Sequence, residues 1–403
     1  ALAQNRIGNS RLEWESTTVT NFGVDAGFLN NRLTAELDVY NKVTDGILTT
    51  PNLHLTMGIK TPPTMNTAEV TNRGFELTVG WKDHVGDFNY AVSTNFSYNH
   101  NEVTKYLGKY EAGWVEKDGK KVWQSNIGDV SVDKDKGRIV EGHPIKEYYT
   151  LNTYSGNGTH FNSDGSVNIN GGPKDGMIRT EGDMKWLNAM IDAGYKFMPN
   201  QSVGRNNIYY GDLIYADLNG DGIYGSSYDY DFQGSSAMPK FGYGINISAS
   251  WKNFDLSMLW AGNGGFKLYW EEDPYNSVAI RNGFATSERV ANDHYFYDPE
   301  NPTDSRTNLN GYIPRLVENS KQSRQTSNYY LYNGTYMKLK NLTIGYTLPV
   351  TLTEKISAER VRVYLSGENL FTITSFPGQD PEMGATTNYP SLRQFAAGIS
   401  VTF

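Results

Sequence analysis

The residues of this sequence that could do chemistry are concentrated in the segment Asp217-Leu-Asn-Gly-Asp-Gly-Ile223. Asp217, Asn219 and Asp221 place side-chain oxygens at positions 1, 3 and 5 of a loop, and Ile223 offers its carbonyl oxygen at position 7. A glycine stands at position 6, where it permits the sharp turn around an ion. This spacing is that of the opening of a Ca²⁺-binding loop, so calcium is the expected cofactor.

The closing ligand of such a loop is less regular here. Position 12, where a bidentate glutamate is usual, is Tyr228. Asp229 or Asp231 would then have to supply the closing carboxylate from a longer loop. An aspartate- and asparagine-rich turn without metal explains the same residues, so both interpretations stay open at this point.

The sequence contains few groupings of residues that could catalyse a reaction. It has no cysteine, and its six histidines show no metal-ligand spacing. The glycine-rich stretch Gly262-Asn-Gly-Gly265 follows a predicted strand but opens no helix, which argues against a phosphate cradle. We therefore predict no catalytic residues and no enzymatic activity. The net charge of -8 argues against a nucleic-acid partner, because a phosphate backbone needs a basic face.

The elements that must position these residues are predicted from alternation with a period of two. In Phe88–Tyr98 the even positions are mostly large and apolar, whereas the odd positions are asparagine, serine and alanine. This is the pattern of a strand with one apolar face, here predicted to face lipid. Similar alternation predicts about ten strands, near 12–29, 31–49, 69–83, 86–103, 145–154, 237–252, 254–270, 328–348, 360–373 and 392–403.

The connections between these strands alternate between short and long. Residues 27–32, 82–87 and 252–253 are short turns, and Asn253 is suited to a positive φ in the last of them. Long polar segments separate the other strands, at roughly 49–68, 104–142, 154–207, 264–327 and 374–391. Short turns at one end and long loops at the other are typical of an outer-membrane β-barrel, whereas a soluble β-protein has no reason for this asymmetry.

Composition agrees with an all-β, transmembrane antiparallel barrel. Tyrosine is abundant, with 28 residues against 17 Phe and 8 Trp, as suits aromatic girdles at the membrane interfaces. The mean hydropathy of -0.56 is low, because only every second strand residue of a barrel faces lipid. Residues 1–8 lack the features of an export signal, so either residue 1 is a mature N-terminus or residues 1–403 are the C-terminal part of a longer barrel; the motifs described below favour the second interpretation.

The last strand carries a second signal. Phe395, Ala397, Ile399, Val401 and Phe403 alternate with smaller residues. Strands of outer-membrane barrels often end in this way, and Phe403 is therefore the expected assembly signal. Loop aromatic residues could stack on a ligand, and the clearest candidates are Trp114, Trp123, Tyr269 and Trp270.

The motifs in combination resemble the SusC/RagA family of TonB-dependent outer-membrane transporters. The matching motifs occur in the same order as in the family and extend through nearly the whole chain. It is carried by Leu12-Glu-Trp-Glu-Ser-Thr-Thr18, Asn72-Arg-Gly-Phe-Glu-Leu77, Glu141-Gly-His-Pro-Ile145, Gly211-Asp-Leu-Ile-Tyr-Ala-Asp217, Tyr336-Met-Lys-Leu-Lys-Asn-Leu342 and Val363-Tyr-Leu-Ser-Gly-Glu-Asn-Leu-Phe371. Departures from the family pattern are Gly225 and Tyr228, where the calcium-like loop often has aspartate, and Lys146, where glycine is usual.

The resemblance implies a 22-stranded barrel in the outer membrane of a Gram-negative cell, of which this chain would supply about ten C-terminal strands. It implies active import of oligosaccharides or oligopeptides, a SusD-like surface lipoprotein as partner, and energy delivered by the TonB complex. The plug domain and TonB box of such proteins are not expected within this chain. A passive porin, a barrel enzyme and a soluble β-rich surface binding protein are the alternatives, and the substrate-contacting residues are not predicted.

Overall fold

A computed structural model describes residues 8–50, 63–131, 136–272, 279–280, 285–318, 320–387 and 389–403. The strands, in chain order, are β1 (Ser16–Phe28), β2 (Leu33–Thr49), β3 (Met65–Val85), β4 (Phe88–Lys105), β5 (Ala112–Lys117), β6 (Lys120–Ser125), β7 (Gly137–Arg138), β8 (Glu147–Leu151), β9 (Lys196–Phe197), β10 (Ile223–Tyr224), β11 (Tyr230–Phe232), β12 (Phe241–Trp251), β13 (Phe254–Gly264), β14 (Lys267–Tyr269), β15 (Ala279–Ile280), β16 (Val317–Glu318), β17 (Leu331–Asn333), β18 (Tyr336–Thr347), β19 (Arg360–Thr374) and β20 (Gln394–Thr402). The α-helices are α1 (Ile127–Val130), α2 (Glu181–Asp192), α3 (Glu288–Asp293) and α4 (Val350–Thr353).

Nine of these strands form one antiparallel sheet, in the order β1-β2-β3-β4-β12-β13-β18-β19-β20. Each strand pairs with the one that follows it in this order, so the sheet is a meander interrupted by long insertions. The predicted antiparallel strands of a barrel wall are confirmed, and nine of the ten predicted segments contribute to this sheet.

The tenth segment, near 145–154, lies elsewhere. Its strand β8 pairs with β11 and β7 in a separate three-stranded sheet, and all five of its residues are buried. A strand covered on both sides has no polar face to show, so its sequence lacks the alternation of a membrane strand. The expectation that 145–154 belongs to the barrel wall was therefore wrong.

The connections alternate as predicted. Residues 29–32, 86–87 and 252–253 are short turns at one end of the large sheet, and 348–359 with the short helix α4 is the fourth connection there. The insertions 106–240, 265–335 and 375–393 lie at the other end. The predicted long segment 49–68 falls mostly outside the described residues. In the 252–253 turn the positive φ of 52° belongs to Lys252 and not, as expected, to Asn253.

The two faces of the large sheet differ in chemistry, as two rows of register partners show. One row of register partners carries a large apolar side chain on eight of its nine strands: Phe28, Leu33, Trp81, Val92, Ile247, Met258, Leu342, Gly367 and Phe395. A neighbouring row on the opposite face is polar or small: Asp25, Glu36, Thr78, Asn95, Gly244, Ala261, Lys338 and Thr372. We call these the outer face and the inner face.

The main hydrophobic core lies in the insertions and not in the large sheet. Sixteen buried residues form one cluster, and all of them come from 151–224 or from Tyr295. The largest fully buried members are Trp186, Tyr215, Tyr295 and Phe197. The long loops therefore form a packed unit, which we call the loop assembly, at the end of the wall opposite the short turns.

Candidate functional site: the wall and its loop assembly

The outer face is built to lie against an apolar solvent. Its side chains are large and uncovered by protein, with Phe395 76%, Ile399 70% and Leu365 64% exposed. Ten residue intervals separate Phe88 from Tyr98 in β4, and at about 3.4 Å per residue and a tilt of about 40° they span roughly 26 Å. This height is close to the ~25 Å apolar band of outer-membrane barrels.

Aromatic rings border this band at both ends. At the short-turn end Phe254 and Tyr346 lie with ring centroids 4.7 Å apart, next to the register partners Phe88 and Trp251. At the loop end the rings of Phe75, Phe96, Tyr98 and Phe241 form a chain with centroid separations of 5.4–6.1 Å. These two rows are the interfacial girdles that the tyrosine-rich composition predicted, because ring edges tolerate both lipid and water.

The inner face carries the last long insertion. Lys338 of β18 is 1% exposed, and its Nζ donates to Asp380 at 2.6 Å and to Glu382 at 2.7 Å. Ser391 donates to the same Asp380 carboxylate at 2.6 Å. Two loop carboxylates therefore neutralise a lysine of the inner wall, which fixes segment 375–393 against that wall.

Asp380 is ionised in this arrangement. Burial raises the pKa of its carboxyl, but the hydrogen bonds from Lys338, Ser391 and the Glu382 backbone outweigh burial and leave the pKa below its ordinary value. Phe376, at the start of the same segment, packs on Trp270 with a centroid separation of 5.4 Å. The segment thus has an ionic and an apolar anchor.

Helix α2 organises the loop assembly. Thr180 caps it, since its hydroxyl accepts from the Asp183 backbone N–H while Asp183 accepts from the Thr180 backbone N–H in return. The buried face of the helix presents Met184, Trp186, Leu187 and Met190 to the core, and the indole of Trp186 donates to the Asn168 carbonyl at 2.7 Å. His160 Nε2 lies 2.8 Å from Asp183 Oδ1 and ties a neighbouring loop to the helix start.

The predicted calcium loop is a tight Asx-type turn. Both carboxylate oxygens of Asp217 accept backbone N–H groups, from Gly220, Asp221 and Gly222, at 2.7–3.2 Å. Asn219 and Asp221 accept from residues two positions further on. These bonds close the loop with protein groups alone. Asp217 Oδ1 accepts two of them, whereas Asp217 Oδ2, Asn219 Oδ1 and both Asp221 carboxylate oxygens accept one each and keep a second lone pair for a ligand.

Asp229 lies beside this loop, as predicted for a closing carboxylate. It is buried and accepts from the backbone N–H of Leu218 at 2.9 Å and of Ser226 at 2.7 Å. Burial raises the pKa of Asp229, and the nearby charge of Asp217 adds to the increase. Within the described part of the chain, no group of three or more His, Cys, Asp or Glu side chains has metal-binding geometry. Calcium at Asp217, Asn219, Asp221, Ile223 and Asp229 stays a prediction.

The candidate ligand-stacking aromatics fall into two groups. Tyr269 and Trp270 are buried inside the loop region, at 9% and 5% exposure, and serve packing. Trp114 and Trp123 pair edge-to-face in a surface hairpin with centroids 5.7 Å apart, and Trp114 Nε1 donates to the Asn219 carbonyl at 3.1 Å. The hairpin therefore supports the predicted calcium loop.

Lys146, which stands where the resembling family has glycine, adopts a positive φ of 53°. Glycine adopts a left-handed backbone without cost, so Lys146 holds a conformation that favours glycine. Phe403 follows β20 and is 85% exposed, and its role as an assembly signal stays a prediction. Among the described residues, helices that combine the length and apolarity needed to cross a bilayer are not found.

Comparisons with known proteins agree with the fold. Residues 1–197 match the family model described as "TonB dependent receptor-like, beta-barrel". The chain is 27% identical, over 98% of its length, to TonB-dependent receptor P3 of Formosa agariphila, and 25% identical, also over 98%, to TonB-dependent receptor SusC of Bacteroides thetaiotaomicron. The resemblance to TonB-dependent receptor β-barrels is confirmed.

Solved structures show the same barrel fold. The RagAB peptide transporter superposes with a TM-score of 0.66 at 22% identity, and the RagAB peptide importer in its "open-open" state gives the same TM-score. The alignments cover 98–99% of this chain but 36% of those chains. Against the receptors P3 and SusC the chain spans about a third of the relatives' length, 35% and 32%.

The resemblance to TonB-dependent receptor barrels places the chain in the outer membrane. In a TonB-dependent receptor barrel the outer face of the large sheet meets lipid, and the inner face meets the lumen. The described nine-stranded sheet is a portion of such a wall, with its loop assembly at the end opposite the short turns.

Proposed function

We propose that this chain belongs to an active importer that carries oligosaccharides or oligopeptides across the outer membrane. The observation that supports this proposal best is the combination of a two-faced membrane wall with a packed loop assembly at one end. A wall alone would suit any barrel, but a separately folded loop unit supplies a large, ordered surface for binding a substrate or a partner protein.

The proposed partner on that surface is a SusD-like lipoprotein, with the chain acting as the SusC-like barrel of the pair. RagAB, which shares the fold, is described as a peptide importer with "closed-closed" and "open-open" states. A lid that opens and closes needs a rigid surface to close upon, and the buried core of the loop assembly provides rigidity. Energy would come from the TonB complex, and no catalytic step is assigned to this chain.

A passive pore is the competing function, and the inner face argues against it. Segment 375–393 is fixed to the lumen side of the wall through Lys338, Asp380 and Glu382, so the lumen next to β18 is narrowed. Passive entry of large oligomers is opposed by such an obstruction, whereas an energised transporter can move material past it.

The proposal is tested by uptake in the organism's own cells. Fluorescently labelled oligosaccharides and oligopeptides are supplied to cells with the intact gene, to a deletion strain, and to a strain lacking TonB. We expect uptake of one substrate class to depend on both this gene and TonB, and that class is then the imported substrate. Uptake that requires this gene but not TonB would establish the passive pore instead. Uptake of both classes without this gene would overturn the proposal.

A further inference from the structure

A cavity of about 280 Å³ opens in the loop assembly, outside every site described above. Ten residues line the cavity. Five of them are tyrosine or phenylalanine, namely Tyr209, Tyr210, Tyr295, Phe296 and Tyr297, and the others are Arg205, His294, Asp298, Arg315 and Leu316. Ligand pockets for whole drug-sized molecules measure roughly 300–1,000 Å³, so this cavity suits one ring-sized unit of a longer ligand.

The aromatic walls of the cavity are held rigidly. Tyr210 meets Tyr209 and Tyr297 edge-to-face, with both centroid separations at 5.1 Å. Tyr210 and Tyr295 are members of the main core cluster, and the Tyr295 hydroxyl donates to the Arg179 carbonyl at 2.6 Å. Because the core already fixes these rings, the binding of a ligand would cost little side-chain conformational entropy.

The charged residues of the cavity are balanced within the protein. Arg205 pairs with Asp298 at 2.9 Å, and Arg315 pairs with the buried Asp212 at 2.7 Å. Arg315 also donates to two backbone carbonyls, those of Arg205 and Asn207. A charged ligand would therefore have to compete with existing ion pairs, whereas a neutral ligand would not.

One buried donor in the lining is left over. In the part of the chain that the structure describes, Arg315 Nε is buried without a hydrogen-bond partner. An unsatisfied buried donor destabilises the protein, but this Nε is covered by protein, so it does not by itself define the ligand. Together, the aromatic walls and the charges balanced within the protein favour a neutral ligand with a flat apolar face.

We propose that this cavity is a subsite for a single neutral pyranose unit of a glycan. A pyranose presents an apolar C–H face to an aromatic ring and hydroxyl groups around its edge, which matches the Tyr297 wall and the polar lining residues Arg205 and Asp298. A peptide backbone would instead require paired donors and acceptors in an extended groove. This inference rests on the proposed import function and selects oligosaccharides as the cargo.

The test uses saturation-transfer NMR on the full-length protein purified in detergent. The probes are the methyl glycosides of glucose, galactose, mannose and xylose, with the tripeptide Ala-Ala-Ala as comparison. We expect ring C–H protons of at least one glycoside to receive saturation, and the tripeptide to receive none. The absence of signal from every glycoside, or signal from the tripeptide alone, would overturn the proposal.

Two variants of one residue separate the ring from its hydroxyl. Tyr297→Leu keeps an apolar side chain but removes the flat face, so glycoside affinity should fall about tenfold or more. Tyr297→Phe keeps the face and should retain most of the affinity. Tyr389→Leu, a 76% exposed tyrosine outside the cavity, should change nothing. Unchanged binding in Tyr297→Leu would place the sugar elsewhere and refute the subsite.

The subsite and the import function fail in different ways. Loss of glycoside binding together with TonB-dependent uptake of peptides would refute the subsite and leave import intact. Glycoside binding at this cavity together with TonB-independent uptake would refute active import and leave the subsite intact.

Discussion

Val92→Arg is the substitution that the membrane wall should tolerate least. Val92 lies on the outer face of β4, in register with Trp81 on one side and Ile247 on the other. It is four residues from Phe88, hence about 10 Å above the short-turn girdle and within about 3 Å of the middle of the apolar band. An arginine here has no polar partner along its row.

The expected cost follows from this depth. Arginine at the bilayer midplane of an outer-membrane barrel costs about 2–4 kcal/mol, and the cost falls toward 0–1 kcal/mol near the interfaces. The equilibrium between folded and unfolded protein should therefore shift by roughly 30-fold to 800-fold. The adjacent Ser93 belongs to the inner face, so Ser93→Arg should stay within about 0.5 kcal/mol of the parent.

The assay is urea unfolding of the full-length protein refolded into phospholipid vesicles, followed by tryptophan fluorescence. The pair of variants is informative because the two residues are adjacent and receive the same side chain. An equal loss of stability in both, or a larger loss in Ser93→Arg, would show that the faces are assigned the wrong way round.

Other predictions concern the loops. Lys338→Met leaves the buried Asp380 carboxylate without its lysine and should cost about 3–5 kcal/mol, whereas Lys340→Met, whose pair with Glu382 is about a third exposed, should cost under about 1 kcal/mol; protease sensitivity of segment 375–393 distinguishes them. Because the folded-state pKa of Asp380 is lowered, the attachment of this segment should be complete above the ordinary pKa of about 3.9 and weaken as the pH falls below it, as hydrogen exchange would show. Asp217→Ala should abolish calcium uptake measured by calorimetry on the full-length protein, and a parent protein that takes up no calcium would establish the metal-free turn. Trp186→Ala should cost about 3–5 kcal/mol and melt the loop assembly while the barrel keeps its heat-resistant migration on gels; simultaneous loss of both would show that loops and wall fold as one unit.

The wall was predictable from the sequence because lipid imposes a strict rule on it. A strand with lipid on one side and water on the other must alternate, and Phe88–Tyr98 shows this over eleven residues. The three tight turns also indicate which strands pair, since each forces the two strands that it joins together, as in β1–β2, β3–β4 and β12–β13. This rule does not apply to the buried strand β8, because all five of its residues are covered by protein and no alternation is required.

The loop assembly was missed, because its glycine- and asparagine-rich segments were interpreted as solvated turns. A signal was nevertheless present: Thr180 and Asp183 have the spacing of a capping box, and Met184, Leu187 and Met190 follow at helical spacing. The cavity around Tyr297 could not have been predicted, because its lining comes from segments about ninety residues apart whose contact only the folded core creates.

The assignment of the outer and inner faces is the central claim, and spin labelling tests it most directly. The sequence contains no cysteine, so single cysteines at positions 88 to 98 can be labelled one at a time in the full-length protein in vesicles. Collision with lipid-soluble oxygen and with a water-soluble nickel complex is then measured at each position. We predict that even positions favour oxygen and odd positions favour nickel, with a period of two through Val92 and Ser93. A period near 3.6, or equal accessibility at adjacent positions, would contradict the account.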